Sequence, residues 1–290
     1  MRRVPGQLAR RRRDRVRGVD VASLVAGPET PLAVEGAAGC GAGGRPVLDV
    51  VLVHGLGVSN RYLVPALQEF ARDHRVFAPD LPGVGRSSEP ARDLSMIELA
   101  DGLNAWMDTV GVGPAVLVGH SLGCQVVAQV AARHPGRVVG VVLACPAPDP
   151  GRGNVLEQAW RLLVDGFAER PGMIVIAATD YPRVGFGAML RTLRAAARRR
   201  DQPNLDAVDQ RALLIRGGRD PLVSEAWVHR LARSFPSASV VTLDDAPHGL
   251  PYSKVGPFVE AVHAFVDEVG RAWREDERPV GVREPEQPGR

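Results

Sequence analysis

The pentapeptide Gly119-His120-Ser121-Leu122-Gly123 decides the fold prediction, because it joins an apolar run to a helical pattern. Residues 114–118 are typical of a buried strand, and residues 122–133 place apolar side chains at helical spacing. In a Gly-x-Ser-x-Gly turn of this kind, the glycines let the backbone turn tightly and expose the serine hydroxyl. Ser121 is therefore the candidate nucleophile. The amide of Leu122, at the start of the helix, is a candidate donor to the oxyanion that an attacking serine creates.

Short apolar runs alternate with helical patterns along the chain on both sides of this turn. Six runs have the composition of buried strands: residues 46–53, 75–78, 115–118, 138–143, 212–215 and 239–243. Two shorter apolar segments between residues 19 and 35 could form an antiparallel edge pair. The alternation predicts an α/β protein, with a parallel sheet covered by helices on both faces and a ligand site at the carboxyl ends of the strands.

The alternation stops between residues 146 and 210, where no strand-helix-strand order can be traced. We predict a mostly helical cap over residues 148–210, which divides the core into residues 18–147 and 211–270. The large apolar residues of the cap include Trp160, Tyr181, Phe186 and Met189. They fit a hydrophobic substrate pocket, and they fit the cap's own core equally well. Arg61 and His120 are the polar candidates for the same pocket.

Positive charge is concentrated at the amino terminus. Residues 1–17 hold eight arginines and one aspartate, whereas the whole chain has a net charge of only +3, so the remainder is acidic. One basic end does not predict a nucleic-acid-binding surface, and we expect residues 1–17 to be a disordered basic tail. Residues 271–290 are charged and contain proline, and we expect a disordered tail there too. No apolar run reaches the roughly 18 residues that a membrane span needs.

The three cysteines, Cys40, Cys124 and Cys145, form neither a CxxC pair nor a metal-ligand spacing. This sparse, odd number predicts a reducing cytoplasm and no disulfide. The glycine-rich segment 39–44 precedes a strand, so it lacks the strand-then-helix setting of a phosphate-binding loop. We therefore expect neither a metal nor a nucleotide cofactor.

A serine nucleophile needs a histidine base and an acid that orients the histidine. His248 follows the apolar run 239–243, and Asp220 follows the run 212–215. Both should therefore reach the edge of the sheet that carries the serine. Leu56 lies in the loop after the first core strand, where its amide is the candidate for a second oxyanion donor.

Three other aspartates compete with Asp220 for the role of the acid. Asp149 follows the last strand before the cap, and Asp244 and Asp245 lie close to His248 in the sequence. We favour Asp220, because an acid a few residues from the histidine is usually too close to reach its far ring nitrogen.

Five ordered motifs resemble the α/β-hydrolase superfamily over residues 30–270: His54-Gly55-Leu56-Gly57 and residues 80–87, 119–123, 217–223 and 246–248. The resemblance implies an eight-stranded, mainly parallel sheet with a helical cap inserted after the sixth strand. It also implies a Ser121–His248–Asp220 triad and an oxyanion hole formed by the amides of Leu56 and Leu122. Serine at position 121 excludes the members that use an aspartate nucleophile.

The residues and the resemblance together predict a serine hydrolase that cleaves a small, hydrophobic carboxylic ester through an acyl-enzyme. A carbon–carbon bond hydrolase acting on diketones, a thioesterase or a lactonase would use the same triad. A hydrolase-like protein that only binds a ligand is the non-catalytic alternative. We expect a small-molecule substrate, no nucleic-acid partner, and a monomer or homodimer.

Overall fold

The computed structural model describes residues 9–28, 48–153, 157, 161, 169–198 and 202–276, and one sheet runs through them. Its strands are β1 (Arg10–Val16), β2 (Val19–Ala26), β3 (Asp49–Val53), β4 (Arg75–Pro79), β5 (Ala115–His120), β6 (Val138–Ala144), β7 (Ala212–Gly217) and β8 (Ala238–Leu243). The eight strands lie in the order β1-β2-β4-β3-β5-β6-β7-β8.

Most neighbouring strands in this sheet are parallel. β2 is antiparallel to both of its neighbours, β1 and β4, and every other pairing is parallel. The predicted eight-stranded, mainly parallel α/β fold is therefore confirmed. The chain passes from β3 to β4 on one side and returns to β5 on the other. Because Val53 pairs with Gly119, the loops after β3 and β5 lie side by side, where ligands bind in such sheets.

Helices cover the centre of the sheet. They are α1 (Val64–Phe70), α2 (Met96–Val110), α3 (Gly123–Arg133), α4 (Pro171–Val184), α5 (Phe186–Ala197), α6 (Glu225–Ala232), α7 (Leu250–Ser253) and α8 (Val255–Asp276). Every residue of β3, β5 and β6 is buried. Since successive side chains of a strand point to opposite faces, both faces of these strands must be covered.

Local sequence signals set the ends of α2. The Ser95 hydroxyl accepts a hydrogen bond from the amide of Glu98, and the Glu98 carboxylate accepts one from the amide of Ser95. This capping box satisfies amide groups that have no partner inside the helix. Gly111, with a φ of 71°, ends the helix in the left-handed conformation. The buried apolar face of α2 includes Trp106, which packs edge-on against Phe77 of β4.

The amino-terminal arginines belong to the sheet. The prediction of a disordered tail over residues 1–17 is wrong for β1, whose backbone pairs with β2 from Arg10 opposite Val25 to Val16 opposite Val19. The four arginines that begin β1 are exposed. Exposed charge suits an edge strand, because it opposes pairing with the edge of another chain. The high density of positive charge in residues 10–13 therefore does not argue against a strand.

A two-residue turn connects β1 and β2. Arg17 and Gly18 have φ values of 48° and 84°, and positive values at both positions are typical of a type I′ hairpin. The sequence predicts an antiparallel edge pair within residues 19–35. In the structure, the antiparallel edge pair is formed by β1 and β2, so this partner of β2 precedes it in the chain. Residues 1–8 and 29–47 lie outside the described chain.

The carboxyl-terminal helix continues beyond its predicted end. α8 extends to Asp276, so the expected disorder of residues 271–290 is wrong for residues 271–276. The reason is that Trp273 lies partly buried against the hydrophobic core, and this contact extends the apolar face of α8 by another turn. Residues 277–290 lie outside the described chain.

Two helices, α4 and α5, lie between β6 and β7, in the region where the sequence predicts a cap. The apolar run 173–178 is part of α4. The described residues of 148–210 contain no strand, and the domain boundaries remain a prediction. Among the described helices, none combines the length and hydropathy that crossing a bilayer requires.

Candidate active site

Ser121 lies on the turn between β5 and α3, in a backbone conformation that few residues adopt. Its φ is 54°, in the left-handed region, which turns the chain sharply and exposes the hydroxyl. A Cβ on Gly119 would lie 2.6 Å from the carbonyl oxygen of Gly123, and one on Gly123 would lie 2.5 Å from that of Val53. Only glycine fits either position, so the pattern that predicted this turn has a steric cause.

The structure brings Ser121, His248 and Asp220 together at the carboxyl edge of the sheet. His248 Nε2 lies 2.9 Å from Ser121 Oγ, and His248 Nδ1 lies 2.8 Å from Asp220 Oδ2. When Nδ1–H donates to the carboxylate, Nε2 of the neutral imidazole is the acceptor for the serine proton. His248 and Asp220 are both buried, which strengthens these hydrogen bonds.

The surroundings of Asp220 keep its carboxylate charged. Its Oδ1 accepts hydrogen bonds from the amides of Leu222, at 2.7 Å, and Val223, at 3.2 Å. Burial alone would raise the pKa of Asp220, but the charge and hydrogen bond of His248, together with the Leu222 amide and the Cys145 thiol, lower it below its ordinary value. An ionised Asp220 can hold the histidine in one orientation.

The competing aspartates are engaged elsewhere or exposed. Asp149 Oδ2 accepts hydrogen bonds from the amide of Ser224, at 3.0 Å, and from its hydroxyl, at 2.6 Å, next to the start of α6. Asp245 forms an exposed ion pair with Arg219. Asp244 is exposed. Among these acids, the structure places only Asp220 in contact with the histidine ring.

Two backbone amides near Ser121 have no acceptor within the described residues. They are the amides of Leu56, in the loop after β3, and Leu122, directly after the serine. A Cβ on Gly55 would lie 3.1 Å from the Cβ of Ser121, so the Leu56 loop runs beside the nucleophile. Unpaired amides at this place are suited to binding an oxyanion.

A chain of buried hydrogen bonds joins this loop to the loop of His248. The Gly55 amide donates to the Tyr62 hydroxyl at 3.0 Å, which donates to His120 Nδ1 at 2.8 Å. His120 Nε2–H then donates to the carbonyl oxygen of His248 at 2.8 Å. We call Tyr62 and His120 the histidine bridge. Sequence reasoning missed Tyr62, because its helical spacing marked it only as an apolar core residue.

The prediction that His120 lines a substrate pocket is wrong. The ring is buried, and both of its nitrogens bind groups of the protein. Burial, with the charge of His248 as a smaller cause, lowers the pKa of His120 to about 3, so the ring is neutral. It lies behind His248 and holds the backbone of that residue.

His54 and Asp80 support the loops around the site. The amide of Leu81 donates to His54 Nε2 at 2.8 Å, and Nδ1–H donates to the carbonyl oxygen of Gly55. Burial lowers the pKa of His54. The Asp80 carboxylate accepts hydrogen bonds from the amides of Asn60 and Arg86. Because both nitrogens of His54 are occupied, the structure gives it a supporting position and not that of a second base.

Arg61 connects the loop after β3 to α4. Its Nη2 lies 2.6 Å from Asp180 Oδ1, on α4. Asp180 is buried, and its Oδ2 accepts hydrogen bonds from the amide of Ser59, at 2.9 Å, and from its hydroxyl, at 2.6 Å. The guanidinium predicted to face substrate therefore binds α4, in the region predicted to be a cap.

Of the four apolar residues predicted to line the pocket, Tyr181 and Met189 have described side chains. Tyr181 and Met189 lie over the loop after β3, because a Cβ on Gly57 would approach the side chains of both to 3.0 Å or less. Trp160 lies outside the described residues. Phe186 begins α5, and the position of its side chain is not described.

One group of side chains among the described residues has donor atoms close enough for a metal ion: His120, Cys145 and His248. These atoms lie within 4.8 Å of one another. The ring nitrogens of both histidines already bind protein groups, and the Cys145 thiol contributes a hydrogen bond to Asp220. These hydrogen bonds to Tyr62, His248, Ser121 and Asp220 account for the close approach of the three side chains.

A cavity of about 740 Å³ lies beside the two unpaired amides. Leu56 and Leu122 are among the residues that line it. Residues 81–84 and 89–95 form one wall, and α5 of the cap forms another. Its size suits a small-molecule ligand.

Two family models match this chain. One, described as alpha/beta hydrolase fold, matches residues 50–192, and the other, described as TAP-like protein, matches residues 191–269. The chain is 30% identical over 230 residues to the dihydrolipoyllysine-residue acetyltransferase component of the acetoin cleaving system of Cupriavidus necator. That match covers 72% of this chain and 61% of the relative, so this chain spans well under two thirds of that protein.

Another relative matches over nearly its whole length. The pimeloyl-[acyl-carrier protein] methyl ester esterase of Neisseria meningitidis serogroup B is 26% identical over 246 residues, covering 76% of this chain and 93% of the relative. Among solved structures, a thermophilic esterase from Thermogutta terrifontis superposes with a TM-score of 0.68 at 21% identity. That superposition covers 90% of this chain and all of the esterase, and it establishes a shared fold.

Proposed function

Since this chain belongs to the α/β-hydrolase superfamily, we propose that it is a serine hydrolase that cleaves a small carboxylic ester through an acyl-enzyme on Ser121. The observation that carries this proposal is the pair of contacts from His248, 2.9 Å to Ser121 Oγ and 2.8 Å to Asp220 Oδ2. A nucleophile, a base and an orienting acid in this order form a complete acyl-transfer site.

The first half of the reaction forms the acyl-enzyme. Ser121 Oγ attacks the ester carbonyl carbon while His248 Nε2 takes the hydroxyl proton. The carbonyl oxygen becomes negatively charged and accepts hydrogen bonds from the amides of Leu56 and Leu122. Asp220 stabilises the imidazolium that forms. The intermediate then collapses, and His248 returns the proton to the departing alcohol oxygen.

The second half releases the acid. Water takes the place of the alcohol, and His248 Nε2 removes a proton from it as it attacks the acyl carbon. The same two amides hold the second oxyanion. Collapse breaks the bond to Ser121 Oγ, which recovers its proton from His248, and the carboxylic acid leaves. The two halves together consume one ester and one water, release one alcohol and one acid, and return Ser121 and His248 to their starting states.

Apolar side chains around the cavity favour a substrate with a hydrophobic part. Leu81, Leu94, Leu99, Val184 and Ala188 line it. Burying an apolar acyl or alcohol group against them would contribute roughly 25 cal/mol for each Å² removed from water. A cytoplasmic monomer or homodimer is part of the same proposal; the free, buried thiols of Cys124 and Cys145 are compatible with a reducing compartment.

A test combines turnover with active-site labelling. The purified protein is incubated with short and medium p-nitrophenyl esters and, separately, with a fluorophosphonate probe. We expect ester hydrolysis and labelling of the wild type, and neither with Ser121→Ala. As a matched serine control, Ser234→Ala, at a half-buried turn outside the site, should retain both.

The other outcomes distinguish the alternatives. Labelling without hydrolysis of simple esters would replace the ester proposal with another acyl chemistry of the same triad, which diketone, thioester and lactone substrates would then identify. The absence of labelling in a folded protein would contradict a serine hydrolase and favour a protein that only binds a ligand.

A further inference from the structure

The cavity wall formed by α5 and the residue after it carries positive charge. Arg191 and Arg194 of α5 and Arg198 directly after it line the cavity, and the described part of α5 contains no aspartate or glutamate. The opposite wall carries Arg92 and three acids, Glu89, Asp93 and Glu98. The two walls therefore differ in charge, and the cap wall is the one that an anion would approach.

Two of the cavity arginines, Arg191 and Arg92, already form ion pairs with acids of the lining. Arg191 Nε lies 2.8 Å from Asp93 Oδ2, which joins α5 to the opposite wall. Arg92 forms an ion pair with Glu98. These contacts neutralise two arginines and two of the three acids.

Arg194 and Arg198 have no ion pair or hydrogen-bond partner for their side chains within the described residues. Glu89 is the remaining acid of the lining and also has no such partner. Arg194 and Arg198 carry two positive charges and Glu89 carries one negative charge, so these three side chains have a net charge of +1. A single carboxylate would balance this excess, whereas a doubly charged phosphate would exceed it.

Two other arginines of this region, Arg61 and Arg183, already bind groups of the protein. Arg61 is held by Asp180, and Arg183 of α4 donates to the backbone carbonyl oxygen of Thr179 one turn earlier. Guanidinium groups bind carboxylates through two parallel hydrogen bonds, so unpaired arginines that line a cavity are well suited to binding such a group.

We propose that the substrate is an ester that also carries a free carboxylate, and that Arg194 and Arg198 bind this carboxylate on the cap side while the ester lies against Ser121. This inference rests on the proposed function and names its substrate class. The apolar part of the substrate spans the distance between the two groups, along the leucine-lined part of the cavity.

The test compares two esters of the same dicarboxylic acid. The monomethyl ester carries one carboxylate, and the dimethyl ester is its neutral counterpart; a series of chain lengths is assayed by acid release. For the wild type we expect a lower KM for the monomethyl ester, and a KM that rises with salt. In the Arg194→Gln/Arg198→Gln variant, KM for the monomethyl ester should rise about 10-fold, with kcat little changed.

Two controls separate charge recognition from general damage. KM for the dimethyl ester should stay within about 2-fold in the double variant. Arg183→Gln removes an exposed cap arginine that binds its own helix, and it should affect neither ester. Equal losses for both esters, or a wild type that prefers the neutral ester at every chain length, would overturn the inference.

A binding measurement keeps the two proposals apart. If neither ester is hydrolysed, calorimetry with Ser121→Ala still shows whether the monomethyl ester binds more tightly than the dimethyl ester and whether the two arginine substitutions abolish the difference. Failure of the carboxylate site with retained turnover of neutral esters and retained fluorophosphonate labelling would leave the proposed function intact. Loss of labelling in the wild type would refute the proposed function itself.

Discussion

Replacing Tyr62 with phenylalanine tests whether the histidine bridge positions the reacting groups. The substitution removes only the hydroxyl, which accepts a hydrogen bond from the Gly55 amide at 3.0 Å and donates one to His120 Nδ1 at 2.8 Å. Both partners are buried, and each would lose its hydrogen bond. An unsatisfied buried group costs about 1–3 kcal/mol, so the loss of both hydrogen bonds should lower the free energy of unfolding by about 2–6 kcal/mol.

The substitution should also slow turnover, because Gly55 directly precedes Leu56. Its amide is adjacent to that of Leu56, one of the two proposed oxyanion donors. Losing such a donor outright costs about 100- to 1,000-fold in kcat. In Tyr62→Phe the Leu56 amide is present but less well held, so we expect a smaller loss, about 10-fold in kcat, with little change in KM.

Urea unfolding measures the first effect, and p-nitrophenyl ester turnover with the rate of fluorophosphonate labelling measures the second. The matched control is Tyr252→Phe, because the Tyr252 hydroxyl makes no hydrogen bond within the described residues. It should leave kcat unchanged. If Tyr62→Phe is destabilised by the expected amount but keeps kcat and the labelling rate within about 2-fold, the bridge is purely structural and the positioning role is refuted.

Three further predictions address the acid, the buried histidines and the cap. Asp220→Asn should keep the fold and lower kcat by about 10⁴-fold, as loss of the orienting acid does in serine hydrolases, whereas Asp149→Asn should change the stability of α6 and not turnover; the reverse pattern would show that the acid is misassigned. Burial lowers the pKa of His74 to about 4, so the folded protein keeps this ring neutral while an unfolded chain takes up a proton below its ordinary value of 6.5. Stability is therefore complete above pH 6.5 and should fall by roughly 3 kcal/mol as the pH drops to 4, with a shallower slope in His74→Gln, as urea unfolding at a series of pH values would show. Asp180→Ala removes the acceptor for Arg61 and Ser59, so limited proteolysis should cut within 171–198 faster than in the wild type, and an unchanged rate would contradict a role in holding the cap.

The fold could be predicted because its strongest sequence signals have steric causes. Gly119 and Gly123 lie where a Cβ would come within 2.7 Å of backbone atoms, so the spacing of the two glycines reports a tight turn directly. The buried runs in β3, β5 and β6 are apolar throughout, because helices cover both faces of these strands. The meeting of Ser121, His248 and Asp220 then follows from the rule that parallel strands end at the same edge.

The chain ends could not be predicted in the same way, because charge alone does not distinguish a tail from an edge. Arginines at positions 10–13 would be equally soluble on a disordered segment and on an edge strand. What decides between them is the pairing of β1 with β2 through a two-residue turn, and the signal for that turn, Arg17-Gly18, contains a residue that rarely adopts a positive φ.

The hydrogen-bond partners of polar side chains are the feature that the sequence predicts least well. His120 lies beside the nucleophile in the chain, which favoured a place in the substrate pocket, yet its two partners come from 58 and 128 residues away. The same holds for Arg61, whose partner Asp180 lies 119 residues further on in the cap. A polar group can be satisfied by substrate or by protein, and its position in the chain does not distinguish the two. Arg194 and Arg198 line the cavity and have no partner among the described residues, so they are the arginines from which we infer a substrate, and only the folded chain identifies them.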